Sequence, residues 1–164
     1  MATETKYGSL VMTGLRNTTP KAGAPNGLAS GMLRRSVDTV EVTAAVSIGS
    51  IYYFASIPSD AYIDAILSKV EWDDMGTGGA TLDIGDDTYT DGLATDIAID
   101  TGAGNSVICE ATGPADIANR GKRLWEQLGH SADPGGMIDL RATLATADAS
   151  AGGTLTFSVY WSRD

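Results

Sequence analysis

Four aspartates, Asp83, Asp86, Asp87 and Asp91, fall within the short stretch LDIGDDTYTDG. Carboxylate oxygens so close together are what a hard cation such as calcium requires. Their spacing does not follow the regular ligand positions of an EF-hand loop, and the closing glutamate is missing. Aspartates among glycines are also ordinary turn formers, because the side chain accepts hydrogen bonds from backbone two residues on. The turn reading is preferred, and no metal or other cofactor is expected. A second acidic group, Glu71, Asp73 and Asp74, can imitate a glycosidase carboxylate pair, but nothing in the sequence fixes the separation that chemistry needs.

His130 is the single histidine. That excludes a multi-histidine metal site and leaves any Ser-His-Asp arrangement dependent on one residue beside a turn. There is no G-x-S-x-G elbow, no P-loop and no strand-to-helix dinucleotide fingerprint. No enzymatic activity is expected. Trp72, Tyr89, Trp125, Tyr160 and Trp161 can form a sugar-stacking platform if they share a face, which makes a carbohydrate-binding sandwich the alternative function. The plainer reading puts most of them in a core or a subunit interface.

Charge divides the chain. Residues 1–36 carry Lys6, Arg16, Lys21, Arg34 and Arg35 against Glu4, a balance of +4, so the rest holds −14 of the net −10. An acidic body repels polyanions, which argues against nucleic acid or an anionic membrane as its partner. A basic leader can dock on an acidic surface. The leader contains NTTPKAGAPNGLASG, rich in proline and glycine, and reads as an extended arm. Fully extended, 36 residues reach about 120 Å. The start of the chain has no apolar signal-peptide core, and no apolar run is long enough to span a bilayer. The chain is expected to be a soluble product of a cytoplasm, with its one cysteine, Cys109, buried and inert.

The elements that must position these residues are strands. Twenty glycines and five prolines in 164 residues suit many short strands and turns better than helices. TVEVTAAVSI (39–48) alternates Val40, Val42, Ala44, Val46 and Ile48 against polar residues, with IYYFASIP (51–58) following after a turn or bulge. Residues 63–92 read as a hairpin, with strands at 63–72 and 80–84 joined by the glycine-rich DDMGTGGA. LATDIAIDTG and GNSVICEATG supply two further short strands. Only 114–130 has helical spacing, through Leu124 and Leu128, with Gly129 placed to end the helix. MIDLRATLA and TLTFSVYWS alternate cleanly and are expected to pair as an antiparallel hairpin. Seven or eight strands without a βαβ rhythm predict an all-β, antiparallel, jelly-roll-like β-sandwich over 37–164, with residues 1–36 as an extended basic arm and at most one short helix. The pattern does not order the strands.

Taken in order, a basic leader, IYYFASIPSDAYI, LDIGDDTYTDG, RLWEQLGHSADPGG and the closing GGTLTFSVYWSRD resemble small structural proteins of tailed bacteriophages. Those proteins are encoded near the major capsid protein and decorate or cement the head. The resemblance covers about residues 37–164. It implies a β-sandwich, often a homotrimer, seated on the virion exterior where major capsid protein subunits meet. It carries no enzymatic residues. Residues 1–36 are then expected to lie over capsid protein, with Lys6, Arg16, Lys21, Arg34 and Arg35 facing acidic groups.

Overall fold

The computed structural model describes residues 3–7, 33–43, 46–109, 119 and 121–163. Within them lie ten strands and one short helix. The strands are β1 (Thr5–Tyr7), β2 (Arg34–Val42), β3 (Ile51–Pro58), β4 (Tyr62–Ile63), β5 (Lys69–Trp72), β6 (Thr81–Gly85), β7 (Ala94–Ala98), β8 (Gly104–Val107), β9 (Met137–Ala145) and β10 (Gly153–Ser162). The helix, α1, is Leu124–Leu128.

Two sheets carry the strands in the orders β1-β3-β9-β6-β7 and β2-β10-β5-β8, with the two-residue β4 also on β10. The pairing is nested. β6 pairs with β7, β5 with β8, β3 with β9 and β2 with β10, all antiparallel. One long antiparallel ribbon has been rolled so that successive strands alternate between sheets, which is the jelly-roll architecture expected from the strand pattern. The tip of the ribbon is the loop at 86–93, so the acidic stretch is the pivot of the roll.

This nesting corrects two expected hairpins. β5 and β6 do not pair across DDMGTGGA, because they belong to opposite sheets, and the same holds for β9 and β10. Alternation shows which face of a strand is apolar, not which neighbour it hydrogen-bonds, and in a roll most partners are distant in sequence. Residues 73–80 cross between the sheets and insert Met75, fully buried, between them. Boundaries move for local reasons. The strand expected over 63–72 is broken at Asp64, whose Oδ1 accepts the backbone N–H groups of Ile66 and Leu67 and so makes a turn. The strand expected over 39–48 runs instead from Arg34 to Val42, and Ile48 lies exposed in the following turn.

The core fills the space between the sheets. β10 contributes Leu155, Phe157, Val159 and Trp161, and β9 contributes Ile138, Leu140, Ala142 and Leu144. Their alternation was legible in sequence. In β3 the register slips between Tyr53 and Ala55. The extra residue lets both Phe54 and Ala55 enter the core, where Phe54 stacks on Phe157 with centroids 4.1 Å apart and planes at 8°. α1 closes one end as anticipated: Glu126 Oε2 accepts from the Arg123 N–H at 2.9 Å, and Gly129 takes the left-handed conformation with φ 98°. The remainder of the expected helical stretch, 114–118 and 120, lies outside the described residues.

The leader is not wholly separate from the sandwich. β1 pairs parallel with β3, Thr5 opposite Ile51 and Tyr7 opposite Tyr53. Glu4 holds this contact: its N–H donates to Ser50 Oγ, and its carboxylate accepts from the Thr43 hydroxyl at 3.0 Å and the Tyr52 phenol at 3.2 Å. Arg34 and Arg35, assigned to the arm by charge, belong to β2.

Candidate functional site: the two ends of the sandwich

The strand connections gather at opposite ends of the roll. Residues 46–50, 73–80, 99–103 and 146–152 meet at one end, where Thr77 N–H donates to Ser150 Oγ, Gly78 N–H to Asp100 and Ile48 N–H to Asp148. These four stretches contain Asp73, Asp74, Asp100 and Asp148 and no lysine or arginine. We refer to this as the acidic end. At the other, the helix end, Leu124 N–H donates to the Ala61 carbonyl, Trp125 N–H to the Ser59 carbonyl, and Arg163 pairs with Asp60 at 2.9 Å.

The aspartates of the pivot loop are spent on protein donors. Asp83 Oδ1 accepts from Asp96 N–H and the Thr95 hydroxyl, pinning a bulge in β7 where Asp96 has φ 54°. Asp86 Oδ1 accepts from the N–H groups of Thr88 and Tyr89, while its Oδ2 lies 2.6 Å from His130 Nε2. Asp87 accepts from the Tyr53 phenol and, at 2.9 Å, from Arg141 Nη1. Asp91 is exposed at the loop tip. The loop closes so tightly that a Cβ on Gly85 would lie 1.9 Å from the Tyr89 carbonyl oxygen, which only glycine permits. Among the described residues no three His, Cys, Asp or Glu side chains converge as a metal cage needs.

His130 is held by two partners, the Asp86 carboxylate and the Tyr89 ring, which meets the imidazole edge-on at 4.8 Å. A Ser-His-Asp arrangement needs the second ring nitrogen to reach a hydroxyl. Among the described residues the only polar side-chain partner of His130 is Asp86. Burial, and next the hydrogen bond to Asp87, push the Tyr53 phenol above its ordinary range, with Arg141 opposing. This is a structural polar network tying the pivot loop to β3 and β9.

The other acids expected as candidates also have structural partners. Asp73 accepts from Thr154 N–H, and Asp74 from Gly76 N–H. Glu71 is exposed in β5 and paired in register with Asn105 and Thr156. Backbone N–H groups of Gly78 and Gly79 hold the Asp100 carboxyl below the usual carboxylate range.

The aromatics do not form one platform. Trp72 donates from Nε1 to the Gly102 carbonyl at the acidic end, Trp161 is buried between the sheets, and Trp125 is half-buried on α1. Tyr160 faces outward from β10 beneath Arg35, and Tyr89 is exposed at the helix end.

The expected arm residues separate. Arg16 and Lys21 lie outside the described residues, and Lys6 falls in β1. Arg34 lies over the Trp161 ring at 4.9 Å, and Arg35 over Tyr160 at 5.3 Å with a hydrogen bond to Ser158 Oγ. Neither arginine has a carboxylate partner among the described residues.

What sequence reading missed is the distribution of exposed apolar side chains. Of the six large ones among the described residues, Leu33, Ile66, Leu67, Tyr89 and Met137 lie at the helix end and Ile48 at the acidic end. Ile66 is 62% exposed and Leu33 53%. Leu33, Tyr62, Ile63, Ala65 and Ile66 line an open groove of about 280 Å³, with Asp64 and Ser162 at its margin. Leu33 and Ser162 are each followed by an arginine, Arg34 and Arg163. Residues as far apart in sequence as Leu33 and Ser162 build this surface, so no local motif announces it.

No protein-family model and no curated protein matches the chain. Two solved structures share its fold. A chain in the cyanophage Pam1 capsid asymmetric unit is 16% identical with a TM-score of 0.57, and the match covers 90% of this chain and 97% of that one. A chain in the capsid of Ralstonia phage GP4 is 15% identical with a TM-score of 0.62, over 87% of this chain and 92% of that one.

Proposed function

We propose that this chain is a structural protein of a phage head, a decoration (cement) protein that stabilises the capsid from outside by binding where major capsid protein subunits meet. The observation that carries the reading is the two-way coverage of the structural matches: a sandwich of this size, over nearly its full length, is a component of two phage capsids. The reading is non-enzymatic, in keeping with acids and a histidine that are committed to structural hydrogen bonds.

The mechanism is mechanical. A ligand that binds assembled junctions but not free subunits stabilises the assembly by mass action, in proportion to the logarithm of its occupancy ratio. Presentation as a homotrimer multiplies attachment points and raises the effective affinity without new kinds of contact. In this reading the protein is made in the host cytoplasm and joins the virion exterior. Lys6, Arg16, Lys21, Arg34 and Arg35 face acidic groups of capsid protein. Arg34 and Arg35 suit that role because no carboxylate of the described chain neutralises them.

The test uses heads of the phage that encodes the chain, prepared without it. Full-length protein should pellet with assembled heads to a fixed stoichiometry, ignore unassembled capsid protein and raise the temperature at which heads release DNA. Charge reversal of Arg16, Lys21, Arg34 and Arg35 together should weaken binding while leaving the melting temperature of the free protein unchanged. Equal binding to free capsid protein, or none to heads, rejects the reading.

A further inference from the structure

We infer that the groove at the helix end, bounded by Leu33 and Ile66, is the seat for a bulky apolar side chain of a capsid-protein segment, with a carboxylate of that segment meeting Arg34. The inference rests on the decoration reading and names the surface through which it acts.

Three observations select this end. Exposed apolar side chains are gathered there, five of six, around a groove large enough for one or two side chains. Clustered exposure of this kind marks an interaction surface, whereas scattered single residues do not. The polar groups beside the groove are also already matched: Asp60 pairs with Arg163, and Asp64 is held by the N–H groups of Ile66 and Leu67. Docking there desolvates no unpaired carboxylate. Arg34, which has no carboxylate partner among the described residues, lies 4.9 Å over the Trp161 ring and is next in sequence to Leu33 of the groove. An apolar anchor beside an acidic residue is the chemistry that complements it.

The acidic end is a poor docking face for such a partner. Four carboxylates and no base line its connections, so it repels an acidic surface and suits solvent.

A second copy of the chain is the competing occupant. Among the described residues the opposite end presents one exposed large apolar side chain beside a carboxylate, Ile48, whose N–H donates to Asp148 at 2.6 Å. Seating it in a neighbour's groove joins opposite ends of successive copies, and heterologous contacts that do not close propagate into filaments. A unit bound at defined capsid positions argues against that arrangement.

The experiment is a pelleting titration of full-length protein against heads lacking it, with light scattering on the free protein. Ile66→Asp and Arg34→Gln should each raise the half-saturation concentration by about tenfold, the scale of a central anchor. Ile48→Asp should stay within about twofold of wild type, the range of a residue outside the contact. Ile66 is largely exposed, so its variant should melt with wild type, and Arg34→Gln probes the same seat without introducing charge. Wild-type binding by both variants overturns the groove assignment while leaving the decoration reading intact. Wild-type protein that fails to bind heads overturns the decoration reading and the named occupant together. Concentration-dependent polymers of free protein, dissolved by Ile48→Asp and Ile66→Asp alike, assign the groove to a second copy instead.

Discussion

Asp86 and His130 stand 44 residues apart in the chain and meet at 2.6 Å, joining the pivot of the roll to the residue that follows α1. Asp86 is nearly buried, and its other oxygen caps the turn at Thr88 and Tyr89. One carboxylate thus shapes a loop and fixes a helix against it.

Removing the imidazole leaves that carboxylate buried with one oxygen unmatched. His130→Ala is expected to destabilise the fold by about 1–3 kcal/mol, the cost of an unsatisfied buried polar group. Asp86→Asn should weaken the same contact. The double variant should be less destabilised than the two singles added, by at least about 0.5 kcal/mol. Chemical denaturation of the four proteins closes the cycle, and strict additivity would show that the pair is incidental.

Much of this fold is legible from alternation and turn chemistry. Leu155, Phe157, Val159 and Trp161 announce β10, and Leu124, Leu128 and Gly129 announce α1, because each signal lies within one element. Pairing is not legible in the same way. MIDLRATLA and TLTFSVYWS look like neighbours, yet each pairs with strands far away in sequence, since rolling a ribbon converts local succession into a change of sheet. The site followed the same rule. Asp86 and Asp87 lie in the loop and Asp83 in β6, and their partners Asp96, His130, Tyr53 and Arg141 come from four separate segments. Leu33, Ile66 and Met137 look unremarkable one at a time, and only the topology brings them to one end.

The stacked pair Phe54 and Phe157 is the direct link between the two sheets. Both rings are fully buried, so truncation leaves a cavity that β-strands on either side cannot collapse to fill. Phe157→Ala should cost about 3–5 kcal/mol. Phe54→Leu should cost less, since it retains volume although the bulge fixes where the side chain points. Equilibrium unfolding measures both, and a loss under about 1 kcal/mol for Phe157→Ala would contradict a core centred on this stack.

Tyr52 ties the segment before β1 to the body through Glu4. Burial, and then the negative charge of Glu4, raise its phenol pKa far above the ordinary 10.0. The unfolded chain releases the proton near pH 10, whereas the folded chain retains it. The stability Tyr52 supplies is therefore complete below pH 10 and declines as pH rises beyond it toward the folded value. Relative to Tyr52→Phe, the wild type should lose stability on alkaline titration, and Glu4→Gln, which brings the folded pKa closer to the ordinary 10.0, should make that loss smaller and complete it at lower pH. Denaturant midpoints that track each other for wild type and Tyr52→Phe across this range would discount the assignment.

Asp100 gives the opposite sign at the opposite end. The N–H groups of Gly78 and Gly79 point at its carboxylate, and these bonds lower its pKa from the ordinary 3.8. An acid depressed in the folded state binds its proton sooner when unfolded, so its contribution is present above 3.8 and fades as pH falls through the lower folded value. Those glycines belong to residues 73–80, which carry the chain from one sheet to the other with Met75 buried beneath them. Asp100→Asn keeps an acceptor but removes the charge that organises this crossing. The stability gap between wild type and Asp100→Asn should therefore be open at neutral pH and close on acidification, read from urea midpoints at matched ionic strength. A gap that does not narrow at all between neutral pH and about pH 3 assigns the effect to side-chain shape rather than charge, since the unfolded carboxyl takes up its proton across that range ahead of the folded one.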